Sequence, residues 1–119
     1  MANLYAPTSV AGGVLFGEEL AAGEQTILTV APGLNVVLAT GVVANLTGAA
    51  VAFGLSLVPA GGNATHARVV PASYTVPAND ALPLRDFIGG ALLGPGDFIS
   101  AYAAGATELS LVLTGMTIT

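Results

Sequence analysis

The sequence predicts an all-β fold, an antiparallel β-sandwich of jelly-roll type with about eight short strands and an extended N-terminal arm. Three observations carry that prediction. Val51, Phe53, Leu55 and Leu57 alternate with Ala50, Ala52, Gly54 and Ser56, a period of two with large residues on one face and small ones on the other. Clusters of Gly, Pro, Asn and Asp punctuate the chain at the spacing of roughly 8–12 residues that short strands require. Amphipathic helical spacing is absent throughout, as are helix starts with a cap and an acidic first turn.

Taken in order, residues 1–23 lack sustained periodicity and are punctuated by Pro7, Gly12, Gly13, Gly17 and Gly23. They read as the arm, with one short strand around Val14 and Phe16. Residues 24–119 read as a single sandwich domain. Its first strand covers 24–30 and closes on the turn Ala31-Pro32-Gly33. Residues 34–44 and 49–58 read as a long hairpin around Asn45-Leu46-Thr47-Gly48, and 59–66 as a loop. Residues 68–76 give two strand pieces separated by Pro71, and Pro77-Ala78-Asn79-Asp80 is a turn. Pro83 marks 82–88 as an edge or irregular stretch. The turn Gly94-Pro95-Gly96-Asp97 feeds a strand over 98–103, and 108–119 form the last strand. In that strand Leu109, Leu111 and Leu113 share one parity and Met116 and Ile118 the other, which predicts a β-bulge at Gly115.

Composition narrows the function. Of 119 residues, 8% are charged and 54% hydrophobic, against roughly 25% charged in an average soluble domain. Two basic and seven acidic side chains cannot cover the surface of a solitary soluble domain. The chain therefore either sits in a membrane or buries much of its outside against other protein. The uncharged run 34–60 is long enough for a membrane helix, but Asn45–Gly48, Gly41 and Gly54 interrupt it and its texture has period two. Strands fit it and a spanning helix does not.

The chemistry available is sparse. Cys is absent, which excludes disulfides and thiolate chemistry. Lys is absent too, and the net charge is −5, so nucleic acid is not an expected partner. The opening Met-Ala-Asn-Leu-Tyr-Ala-Pro has no cationic region of a secretory signal. His66 is the single imidazole, no Ser lies in a Gly-x-Ser-x-Gly elbow, and the carboxylates lack calcium-loop spacing or an accompanying Trp. No catalytic, cofactor-binding or metal-binding residue is expected. Asn45-Leu46-Thr47 and Asn63-Ala64-Thr65 fit the glycosylation pattern but read as turn chemistry, and Asp97 reads as a turn cap. Arg68 and Arg85 are each expected to pair with an acid such as Glu24 or Asp86, within the chain or across a subunit boundary.

Leu55-Ser56-Leu57-Val58-Pro59-Ala60-Gly61-Gly62, then Leu92-Leu93-Gly94-Pro95-Gly96-Asp97-Phe98-Ile99-Ser100-Ala101, then the closing strand with Thr114-Gly115, resemble small β-sandwich virion proteins of tailed bacteriophages. The Gly-Asp turn and the Gly of the last strand are also similar to the trimeric jelly-roll domains of the complement and tumour-necrosis-factor kind. The resemblance spans residues 24–119. It implies a non-enzymatic virion structural protein: a capsid decoration (cement) protein, made in the host cytoplasm, that trimerises on the phage head and bridges capsomers of the major capsid protein. A tail, baseplate or head-fibre subunit is the alternative, and a small lectin-like ligand-binding module the alternative of another class. The candidate interface residues are Leu4, Tyr5, Val14 and Phe16 of the arm, together with Arg68 and Arg85.

Overall fold

Antiparallel pairing organises the whole of residues 10–119, the part of the chain that the computed structural model describes. Leu4 and Tyr5 lie outside the described residues. Nine strands form: β1 (Val10–Glu19), β2 (Gly23–Thr29), β3 (Asn35–Asn45), β4 (Val51–Val58), β5 (Arg68–Val76), β6 (Ala81–Pro83), β7 (Leu92–Leu93), β8 (Phe98–Ala103) and β9 (Leu109–Ile118). A single helical turn, α1 (Arg85–Ile88), separates β6 from β7, and a 3-10 turn covers Ala64–His66.

One sheet has the order β1-β9-β3-β6, with β7 also on β3, and the other the order β2-β8-β4-β5. β6 pairs with Val42–Ala44 of β3 and β7 with its Val36 and Val37, so together they act as one interrupted edge strand. Counted that way the molecule is an eight-stranded jelly roll, two four-stranded sheets exchanging strands by Greek-key connections. The first and last strands meet in one ladder, in which Val10 faces Ile118.

The core lies between the sheets. Leu38 and Val43 of β3 and Leu109, Leu111 and Leu113 of β9 face Phe53 and Leu55 of β4, Val70 of β5, and Ile99 and Ala101 of β8, all fully buried. The alternation seen at 51–57 is the inward and outward parity of β4. Fully burying a Leu or Phe side chain contributes about 1.5–3 kcal/mol, so these residues hold the sandwich together. Leu84 and Ile88 of the α1 segment plug the gap between the sheets at the interrupted edge.

Several expectations need correction. The short strand around Val14 and Phe16 is a ten-residue strand paired along β9. Residues 34–58 do not form a hairpin. β3 and β4 belong to different sheets, and the segment between them crosses the sandwich as an arch. The buried Asn45 amide secures that arch by donating to Ala49 O (2.7 Å) and Val76 O (2.9 Å). Residues 68–76 are one strand, but Pro71–Ser73 bulge out against Gly54 of β4.

The bulge expected at Gly115 sits instead in the strands on either side. β1 gains an extra residue at Leu15, between the partners of Thr114 and Leu113, and β3 one at Ala39, between the partners of Gly115 and Thr114. β9 runs straight, so Gly115 keeps the buried parity of the leucines. A Cβ on Gly115 would stand 2.2 Å from Val37 O, and only glycine lets the bulged β3 pass that close.

Candidate interaction surface

Strand parity decides what each sheet shows to solvent. On β2-β8-β4-β5 the outward residues make a polar row. Ser100 of β8 pairs across to Ser56 of β4, and Ser56 to Arg68 of β5. Arg68 donates through Nη1 to Glu24 Oε2 (3.1 Å) and to Ser56 Oγ (3.1 Å), and its Nη2 forms an ion pair with Glu24 Oε1. Ser100 Oγ donates to Glu24 Oε2 and to Gln25 O, while Ser56 Oγ donates to Ala64 O at 2.7 Å. Both serines are buried beneath this network. Burial pushes the Glu24 carboxyl up, but the hydrogen bonds from Arg68 and Ser100 and the guanidinium charge outweigh it and hold the group below its ordinary value. Among the described residues no buried side-chain polar atom lacks a partner.

The outer face of β1-β9-β3-β6/β7 is different in kind. Met116 of β9 faces Gly12 on one side and Val37 on the other, and Val37 faces Leu92 of β7. Further along, Val112 of β9 faces Val42, which in turn faces Pro83 of β6. Val10, Val14, Val42, Leu92 and Met116 on this face are exposed, Val14 to 66%. Thr40 and Thr114 pair at its centre. Its one charged residue is Glu19, opposite Ser110 at a corner. The chain's other charges stand elsewhere: Glu18 has the core parity, opposite Leu111, and the rest lie on the β2-side sheet, in α1 or in loops. The charge deficit of the composition is thus concentrated on one sheet face.

A second apolar feature lies on the edge where the sheets meet at β5 and α1. Tyr74 and Phe87, both exposed, pack edge to face with ring centroids 6.2 Å apart. Beside them is an open cleft of about 550 Å3 lined by Ser73, Tyr74, Thr75, Pro77, Asp80, Ala81 and Leu82. Its only carboxylate, Asp80, already accepts the Ala81 amide through Oδ1 at 2.8 Å.

Among the candidate residues, Arg68 pairs with Glu24 inside the chain, whereas Arg85 has no ion-pair partner among the described residues. Val14 and Phe16 do not work together. The extra residue at Leu15 puts Val14 opposite Thr114 on the outer face and Phe16 opposite Leu113 toward the core. Sequence reading missed the exposed face as a unit, along with Tyr74 and Phe87. Valine parity on single strands was visible, but the order that sets β1, β9 and β3 side by side is not local.

The isolated groups form turns. Asn45 Oδ1 accepts from Thr47 N and Oγ1, and Asn63 Oδ1 accepts from Thr65 N and Oγ1, so both Asn-x-Thr motifs fold into the same side-chain-closed turn. Asp97 caps its turn through Gly94 N (2.8 Å) and ties it to the 59–62 loop through Ala60 N (2.9 Å). His66 is exposed on its 3-10 turn. Among the described residues no three His, Asp or Glu side chains gather where they could hold a metal ion. No helix of the described residues is long and apolar enough to cross a membrane. No known family, curated protein or solved structure matches the chain.

Proposed function

We propose that this chain is a non-enzymatic virion structural protein, a capsid decoration protein that assembles as a homo-oligomer on a phage head and stabilises the contacts between capsomers. The observation that carries the reading is the nearly charge-free outer face of the β1-β9-β3-β6/β7 sheet. An apolar face of this extent on a rigid sandwich fits contact with other protein. The three-fold count and the major capsid protein as partner come from the resemblance of the 55–62, 92–101 and 109–118 segments. In this role the work is mechanical: apolar area buried between neighbours holds the shell, at about 25 cal/mol per Å2.

The test is to add the purified protein to expanded, undecorated capsids and follow capsid melting. Saturable binding that raises the capsid melting temperature is the expected result. Absence of binding, or a gene lying among tail genes and a position on the tail by cryo-microscopy, would transfer the protein to a tail or fibre role. The Tyr74–Asp80 cleft is the one feature that favours a small lectin-like module, and glycan-array binding abolished by Tyr74→Ala would support that reading instead.

A further inference from the structure

Asn45-Leu46-Thr47 and Asn63-Ala64-Thr65 fold into the same turn, yet the two asparagines differ at one atom. In each, the threonine N–H needs an acceptor, which fixes Oδ1 as the atom inside the turn and leaves Nδ2 outside it. At Asn45 both hydrogens of Nδ2 are in use. They go to Ala49 O (2.7 Å) and Val76 O (2.9 Å), and the residue is only 3% exposed. Asn63 is exposed, and its Nδ2 makes no hydrogen bond to any described residue.

We infer that Asn63 is an acceptor for N-linked glycosylation, and that Asn45, which carries the same sequence pattern, is not. The substrate class is an activated sugar, held on a diphosphate carrier.

Transfer joins the amide nitrogen to the anomeric carbon of the sugar. The bond from that carbon to the diphosphate oxygen breaks, the diphosphate leaves with the electron pair, and the transferase takes the proton that the nitrogen gives up. The amide oxygen is untouched. Oδ1 of a glycosylated Asn63 goes on accepting from Thr65 N (2.9 Å) and Thr65 Oγ1 (2.7 Å), so turn and sugar use different atoms of one side chain. At Asn45 the same reaction would replace a hydrogen already donated to Ala49 or Val76, and would force a sugar into the closed arch between β3 and β4.

The surroundings of Asn63 suit an acceptor. Its backbone is extended, with φ −112° and ψ 126°, and it caps a 3-10 turn on which Thr65 and His66 are exposed as well. Neither Ala64 within the pattern nor His66 after it is a proline. The turn is pinned from beneath, because Ser56 Oγ donates to Ala64 O at 2.7 Å and Leu57 N to Ala67 O at 3.2 Å. Because the loop joins β4 to β5, the sugar is carried by the sheet with the polar row and not by the apolar one. On a chain in which 8% of residues are charged, a glycan adds polar cover where ionisable side chains are few.

The experiment presents the folded whole chain to transferases that read Asn-x-Thr, in two arms that separate the sources of the sugar. One arm supplies UDP-glucose with a soluble enzyme, the other a polyprenyl-diphosphate-linked oligosaccharide with a membrane-bound one. Intact mass and peptide mapping read the product. The folded chain is expected to gain a single glycan, at Asn63, in at least one arm, and Asn63→Gln to abolish the gain. Melting of the glycosylated chain is expected to stay within about 4 °C of the unmodified one, since the turn survives. Synthetic peptides 41–51 and 59–69 are both expected to be modified by the same enzyme, so that the fold is what protects Asn45.

A folded chain left unmodified in both arms would overturn the inference, as would a glycan on Asn45 of the folded chain. A 41–51 peptide that resists the enzyme would overturn the part that concerns Asn45, which would then be refused for its sequence. Capsid binding bears on decoration alone, and the mass of the folded chain on Asn63 alone.

Discussion

The two outer faces of this sandwich are built on the same frame and meet water in opposite ways. On the β2-β8-β4-β5 side, outward groups are satisfied inside the chain: Glu24 and Arg68 lie over Ser56 and Ser100, and the Pro71–Ser73 bulge lies over Gly54. On the β1-β9-β3-β6/β7 side, Val14, Val42 and Met116 are exposed. A polar row under an ion pair gives a face that is complete in one molecule. An apolar face cannot be closed in that way, by hydrogen bonds and an ion pair within its own molecule. Substitutions on the first should therefore register in the stability of the single chain, and those on the second in association.

The largest effect expected is at Gly54. A Cβ there would lie 2.8 Å from Ala72 Cα, a backbone atom that cannot move without displacing the bulge. Gly54→Ala is expected to cost about 3 kcal/mol in urea unfolding. The same change at Gly12 on the other face puts the new methyl 3.6 Å from Met116 Cγ, an ordinary contact, and should stay within about 0.5 kcal/mol. Equal costs at the two glycines would erase the contrast between the faces.

Next is Arg68→Leu, which strips the cation from Glu24 and a donor from Ser56. About 2 kcal/mol of lost stability is expected, since hydrogen bonds to charged groups are among the stronger ones. For a domain of this size that is a fall in Tm on the order of 10 °C, read by calorimetry.

Acid sharpens the comparison further. Glu24 is held below its ordinary value when folded, so the unfolded chain takes up its proton first. The stability it supplies is fully present above the ordinary Glu value of about 4.3 and is lost as pH falls through the lower folded value. Glu24→Gln should cost about 1 kcal/mol at neutral pH and flatten that acid limb. An acid limb unchanged in the variant would show that the polar row adds nothing to the fold. The smallest effect is at Val42→Thr on the apolar face, expected to move single-chain stability by no more than about 0.5 kcal/mol, measured below the concentration at which copies associate.

The sandwich itself was legible because its signals are local. The alternation at 51–57, the Ala31-Pro32-Gly33 turn and the Gly94–Asp97 turn each state their own conformation. What could not be read was whatever depends on distant partners. A turn at Asn45–Gly48 looks alike whether the flanking strands pair or part, and they part because Asn45 reaches Val76 from 31 positions away. Likewise Gly115 announced an irregularity, but the extra residues fell at Leu15 and Ala39, in strands whose adjacency the sequence does not display. β1 was underestimated because Ala11-Gly12-Gly13 carry little strand propensity of their own; the ladder to β9 holds them extended.

The candidate surface was half legible. The composition pointed to a surface poor in charge, and Arg68 with Glu24 was a readable pair. Which face is bare depends on the order β1-β9-β3, and that order is a property of the folded chain.

That order also governs when the bare face comes into being. β9, the last strand of the sandwich, lies in the middle of its sheet between β1 and β3, and Val10 pairs with Ile118 across nearly the whole chain. During synthesis β1 and β3 have no ladder to join them until β9 has left the ribosome. Such long-range pairing forms late. The face that carries Val14, Val42 and Met116 therefore cannot assemble before β9 has been made.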